Sequence, residues 1–207
     1  MYVLKYVQRG LYMNKNIMLA GVGGQGIITA SKIISTILFL KDFDVKKSEI
    51  HGLSQRGGSV TSQIRYGKKI YSPVVPLKGV DFMISLESME VLRYLENFSK
   101  NTVFILNDFK FLPITVTAGN FEYPKNTKDI LTKNGFKRVF SIDAHDLSLN
   151  KFGNIKFANS ILLGMFSNFI EIDIMDWKIG FEKNIKSKFI EKNLLAFEEG
   201  RKITEGK

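Results

Sequence analysis

Short apolar runs ending in glycine or in a polar break alternate along this chain with longer apolar stretches of helical length. Asn16–Ala20 (NIMLA) runs straight into glycines and reads as a buried strand. Gly26–Leu40 is long and apolar, with Lys32 its only charge. Its length favours a helix, and its nearly all-round apolar character predicts cover on more than one side. Lys41–Asp44 is a polar break, and Val45–Ile50 alternates as a second strand would. Ser59–Tyr66 is alternating and β-branched; with Lys68-Lys69 at a turn and Ile70-Tyr71 continuing, it predicts a strand and a hairpin. Phe82–Leu86, Thr102–Leu106 and Val139–Ile142 are further strands. Met89, Leu92, Leu95 and Phe98 space Ser88–Phe98 as a helix, and Lys128–Gly135 is a short helix stopped by glycine. Phe109–Thr127 is irregular, with Pro113 and Pro124. Ile155–Ile170 is an apolar helix, and Asp176–Phe189 followed by Ile190–Lys202 makes one or two amphipathic ones.

Strands alternating with helices predict a three-layer α/β fold with a largely parallel sheet, a Rossmann-like glycine turn and a helical C-terminal region. Residues 1–13 are expected to be an N-terminal extension. Residues 14–207 are expected to form one domain, helix-rich from about residue 155, with its last helices packed on the same sheet.

Composition narrows the function classes. The 207 residues are 44% hydrophobic and 24% charged, the balance of a globular chain able to bury a core without staples. There is no cysteine, which removes disulfides, thiol catalysis and any cluster or zinc ligated by cysteines of this chain. Two histidines, His51 and His145, are too few for an all-histidine metal site. No apolar run approaches the roughly 20 residues of a membrane helix, so the expectation is a cytoplasmic protein without a membrane. The net charge of +10 comes from scattered lysines and not from a basic arm, which argues against a nucleic-acid partner.

Two segments carry candidate chemistry. Gly21-Val22-Gly23-Gly24-Gln25-Gly26 fits G-x-G-x-x-G between a strand and a helix. Glycines there allow a tight turn and close backbone approach, and the N–H groups opening the helix suit an anion. The acidic residue expected about 20 positions on is poorly matched. Glu49 lies inside an alternating strand, so the glycines serve either a ligand or simple helix–strand packing. The second segment runs from Glu49 to Ser59. It gathers His51, Ser54, Gln55, Arg56, Gly57 and Gly58 in a polar glycine-rich loop between two strands. If the first two strands run the same way, this loop lies beside the glycine turn at one sheet edge. Arg56 offers a forked cation for phosphate or carboxylate, and His51 a group titrating near neutrality. There is no nucleophile elbow and no P-loop lysine. Asp143-Ala144-His145-Asp146 reads as an exposed helix start with Asp143 as N-cap, in preference to a metal or acid–base cluster.

Together, GVGGQGIITASKI and SEIHGLSQRGGSVTSQIRYGKKIYSPVVP resemble the small subunit of 2-oxoacid:ferredoxin oxidoreductases, most closely the beta subunit of the indolepyruvate branch. His51 to Gly58 carries the branch's His-Gly-x-x-Gln-Arg-Gly-Gly pattern, with Leu53-Ser54 where Met-Ala is common. The likeness covers the first half strongly and returns at Asn159–Gly164 and Asn193–Gly200. It implies a complex that oxidatively decarboxylates an arylpyruvate to an aryl-acetyl-CoA, with coenzyme A as substrate and ferredoxin as acceptor. Thiamine diphosphate and [4Fe-4S] clusters are expected in a large partner subunit, with no cofactor on this chain alone. The residues set against a ligand or interface are Gly21, Gly23, Gly24, Gln25, Gly26, His51, Ser54, Gln55, Arg56, Gly57 and Gly58, with no catalytic residue assigned. A free-standing dinucleotide-binding oxidoreductase and a non-catalytic ligand-binding module of the same fold are the alternatives.

Overall fold

Lys15–Val22 forms β1, and its sequence is apolar at consecutive positions because both of its faces are covered. Ile17 and Leu19 point into one core, Met18 and Ala20 into another. The structure, a computed structural model, describes residues 14–52, 58–111, 123–124 and 126–207.

After β1 come α1 (Ile27–Leu40), β2 (Asp44–His51), β3 (Ser59–Gly67), β4 (Val80–Ser85), a 3-10 helix (Glu90–Asn97) and β5 (Phe98–Asn107). They are followed by α2 (Thr127–Lys133), β6 (Arg138–Ile142), α3 (Ala144–Phe152), α4 (Ala158–Ser167), α5 (Ile174–Asn184) and α6 (Ile190–Thr204). The six-stranded sheet has the order β2-β3-β1-β4-β5-β6. β1, β4, β5 and β6 are parallel neighbours, while β3 runs antiparallel to both β1 and β2.

Helices cover both faces. α1, α4, α5 and α6 build the larger core, with Trp177, Phe181, Phe166 and Phe197 fully enclosed. The 3-10 helix and α2 cover the other face through Val91 and Leu131. α4 and α6 cross closely because Gly164 and Gly200 offer no side chain. A Cβ on Gly164 would lie 1.9 Å from the Phe197 carbonyl oxygen, and one on Gly200 equally close to that of Ile161.

Two local expectations are corrected. Ile70-Tyr71 does not continue the strand. The Arg65 guanidinium donates to the Ser72 and Val74 carbonyls, Gln63 accepts from the Val75 N–H, and Asp44 accepts from the Ile70 N–H. Side chains thus satisfy that backbone in place of a ladder, and the hairpin is β2–β3. Within Ser88–Phe98 the helix is Glu90–Asn97, a 3-10 helix with a break at Tyr94 and not an α-helix, and Phe98 opens β5. The segment's apolar residues fall at every third position, the 3-10 period. The extension 1–13 lies outside the described residues.

Candidate functional site

The carboxyl end of β1 is the switch point of the sheet. From β1 the chain leaves to α1 on one face, and from its neighbour β4 it leaves to the 3-10 helix on the other. Open α/β sheets form their ligand crevice at such a point.

The glycine turn sits there and is closed by its own glutamine. The Gln25 side chain accepts from the Val22 N–H at 2.8 Å and donates to the Leu86 carbonyl at 3.4 Å. A Cβ on Gly21 would lie 2.7 Å from Gln25 Oε1, so that glycine makes room for the closure. Gly26 is the N-cap of α1, with φ of 84°, and has no side chain to cap the helix. The first N–H groups of α1 therefore face outward without a side-chain acceptor. Asn159, at the start of α4, donates to the Gln25 carbonyl at 2.7 Å and ties α4 to the turn.

The β2–β3 hairpin returns to this same edge. The Gly23 N–H donates to the Gly58 carbonyl at 2.9 Å, so the glycine turn and the base of the hairpin are joined directly. β2 and β1 run in the same direction with antiparallel β3 between them, which brings both ends to one edge. His51 is exposed at the end of β2, paired in register with Val60. Ser54, Gln55, Arg56 and Gly57 lie outside the described residues. Glu49 is paired with Lys47 at 2.7 Å.

Two buried glutamates brace the edge from the 3-10 side. Glu90 accepts from Ser59 at the start of β3 and from Arg93 Nε at 2.9 Å. Glu87 accepts from the Met89 and Glu90 N–H groups at 2.8 and 3.0 Å, from the Phe111 N–H at 3.1 Å, and from the Tyr123 hydroxyl. Burial and the Glu87 carboxylate push the Tyr123 phenol well above its usual range, so it stays a donor.

A cleft of 540 Å³ opens beside the turn. One wall is Val22–Gly26 and Thr29. The other comes from distant segments: Phe109 and Phe111 after β5, His145 at the start of α3, and Ile155, Lys156 and Asn159 before and within α4. Asp143 does cap α3, accepting from the Asp146 N–H at 2.9 Å. His145 is nevertheless no exposed helix start. It is half-buried, stacks on Phe109 with centroids 3.9 Å apart, and meets Asn107 Nδ2 at 2.7 Å. Burial lowers its pKa, opposed by the nearby Asp143 charge. The sequence signal was available only as an isolated histidine after a strand.

Among the described residues no cluster of His, Asp and Glu could hold a metal ion. An iron–sulfur cluster does not fit this chain, which has no cysteine to ligate it. The uncapped α1 terminus and Lys156 suit an anionic group, while Phe109, Phe111 and Ile155 suit an apolar one.

The fold and site define an open, mostly parallel α/β sheet with a cleft at its switch point. The chain belongs to the pyruvate ferredoxin/flavodoxin oxidoreductase family, whose model matches residues 16–203. It is 36% identical to the indolepyruvate oxidoreductase subunit IorB of Archaeoglobus fulgidus, over 91% of this chain and 94% of that one. The namesake subunit of Thermococcus kodakarensis is 32% identical over 90% and 94%. The chain is a subunit of this oxidoreductase kind. Its fold matches the gamma subunit of a keto/oxoacid ferredoxin oxidoreductase from Geobacter sulfurreducens, with a TM-score of 0.68, 17% identity, and 92% and 98% of the two chains covered. It also matches 31% of a 2-oxoglutarate:ferredoxin oxidoreductase chain from Magnetococcus marinus, with a TM-score of 0.69, 19% identity and 94% of this chain covered. Among the described residues no helix is long and apolar enough to cross a membrane.

Proposed function

We propose that this chain is the small subunit of a cytoplasmic, indolepyruvate-type 2-oxoacid:ferredoxin oxidoreductase, and that its cleft edge faces the active site of a large subunit. The observation that carries the reading is the union of the two glycine-bearing loops at one sheet edge. It occurs in a chain similar over 91% of its length to an indolepyruvate oxidoreductase subunit. In the overall reaction the arylpyruvate loses carbon dioxide, its acyl carbon is oxidised and joined to coenzyme A, and two electrons leave singly to ferredoxin. Thiamine diphosphate supplies carbanion stabilisation when bound in the partner, and iron–sulfur clusters there would carry the electrons. This chain's residues would bind, orient and exclude water. Arg56 is the residue set to clasp a phosphate of coenzyme A or of the partner's cofactor, bidentately.

The test is co-expression with a large, cysteine-rich subunit, followed by pull-down and viologen-dye reduction with indolepyruvate and coenzyme A. Reduction is expected from the complex and not from this chain alone. Within the complex, Arg56→Ala is expected to lose roughly 10- to 150-fold in affinity or turnover, with Arg56→Lys recovering part. Turnover of a nicotinamide cofactor by the isolated chain, or failure of any such subunit to co-purify, would overturn the reading.

A further inference from the structure

We propose that His145 is held as a neutral imidazole with its proton on Nε2, and that it donates a hydrogen bond to an oxygen of a flat organic anion bound in the cleft beside the glycine turn. The assignment of the proton stands on the hydrogen-bond network alone. The choice of ligand rests on the cleft's belonging to the oxidoreductase site proposed above.

The network leaves a single solution. Asn107 is fully buried at the end of β5. One atom of its amide faces the Ala144 N–H at 2.9 Å, a group that can only donate, so that atom is the oxygen. The other faces the Leu86 carbonyl at 3.0 Å, a group that can only accept, so it is the nitrogen. The two ends agree, and the amide cannot be turned over without setting donor against donor and acceptor against acceptor. Its nitrogen spends one hydrogen on Leu86 and points the other at His145 Nδ1, 2.7 Å away. A nitrogen that receives a hydrogen carries none of its own, so Nδ1 is bare and the ring proton is on Nε2. A second proton on Nδ1 would face the Asn107 hydrogen head-on and break the contact.

The ring is fixed in direction as well. Phe109 covers one face, and Nδ1 is turned inward to buried Asn107. The opposite edge carries Nε2–H, and His145 is one of the residues that line the cleft. Among the described residues, the charge of Asp143, on the turn that precedes it, acts on His145, and Lys156 lines the same cleft. Among the described residues no carboxylate lines the cleft. The ligand chemistry follows: an anionic oxygen to take the Nε2–H and lie near Lys156, and a flat or apolar part to lie among Phe109, Phe111 and Ile155. Two sources share that chemistry, an aryl acid of the substrate class and the adenine nucleotide portion of an acyl carrier.

The two histidines make the test direct. The full chain is labelled with nitrogen-15 histidine, and His51→Gln identifies the His145 signals. The expected spectrum has a bare Nδ1 and a protonated Nε2; the reverse tautomer would overturn the proposal. Indole-3-acetate and AMP are then titrated separately. A shift of the His145 Nε2 signal by one of them supports the proposal and names the source, and no shift by either overturns the ligand assignment. His145→Phe keeps the stack on Phe109 but removes the donor, and is expected to weaken the responding probe about tenfold or more. His145→Gln, whose amide can still donate, is expected to recover part; equal affinity of all three proteins would overturn the proposal. A complex that assembles and turns over while His145 stays unperturbed sinks this inference alone. Probe binding by a chain that recruits no large subunit sinks the functional reading alone.

Discussion

Gly26→Ala tests whether the glycine turn is locked to α4 through one amide. Two separable effects act at this position. The residue has φ of 84°, where an L side chain costs about 1–2 kcal/mol. The new Cβ would also lie 2.8 Å from Asn159 Nδ2, too close for any real contact. Asn159 must then swing away, which breaks its 2.7 Å hydrogen bond to the Gln25 carbonyl. That loss adds about 0.5–1.5 kcal/mol. The single variant is expected to lose about 1.5–3.5 kcal/mol, and a chain of this size shifts its melting midpoint by roughly 2–4 °C per kcal/mol. The informative assay is a double-mutant cycle by urea denaturation of the full chain. In an Asn159→Ala background the clash and the hydrogen bond are already gone. Gly26→Ala should there cost only the backbone strain, leaving a coupling of about 0.5–1.5 kcal/mol. Equal costs in the two backgrounds, or a neutral Gly26→Ala, would refute the lock.

Two further outcomes follow from the buried groups. Glu87→Gln replaces a carboxylate that accepts from three N–H groups and the Tyr123 hydroxyl with an amide that must turn a donor toward some of them. The urea midpoint should fall by the equivalent of about 2–3 kcal/mol, and an unchanged midpoint would show that the carboxylate is not needed. Burial lowers the His145 pKa in the folded chain. The unfolded chain therefore binds the extra proton first as pH falls below about 6.5. This contribution to stability is present above that pH and is lost below it. The slope of stability between pH about 7.5 and about 5.5 should be shallower in His145→Phe than in the parent, and equal slopes would contradict the assignment.

The layered sheet was legible because its strands are buried on both faces and therefore apolar at consecutive positions. Ile17, Met18, Leu19 and Ala20 show this in β1, and Val103–Leu106 show it in β5. The antiparallel insertion of β3 was less legible. β2 and β3 both alternate, and period alone does not set strand direction. The helical spacing in Ser88–Phe98 is realised as a 3-10 helix because the apolar residues recur every three positions and not every 3.6. Ile70-Tyr71 has the apolar look of a strand, but the Ile70 N–H goes to the Asp44 carboxylate and the residues after it to Arg65 and Gln63, which no local pattern announces.

The site divides the same way. The glycine turn is a local motif, since its conformation needs glycine at Gly26 and its closure needs Gln25 three residues after Val22, so one wall could be read directly. The opposite wall is assembled from the ends of β5 and β6 and the entry to α4, which are far apart in sequence and neighbours only because parallel strands end at one edge. Asn107, Phe109 and His145 carry no shared spacing, and His145 alone looked like a residue of a solvated helix start. What makes it a neutral donor is the Asn107 amide, and what orients that amide is the carbonyl of Leu86 and the N–H of Ala144. The Leu86 carbonyl also accepts from Gln25, so a single backbone oxygen ties the glycine turn to the histidine wall. The two halves of the cleft are thus one hydrogen-bonded unit. A change that loosens Gln25 should be felt at His145, a coupling that sequence motifs taken one at a time do not reveal.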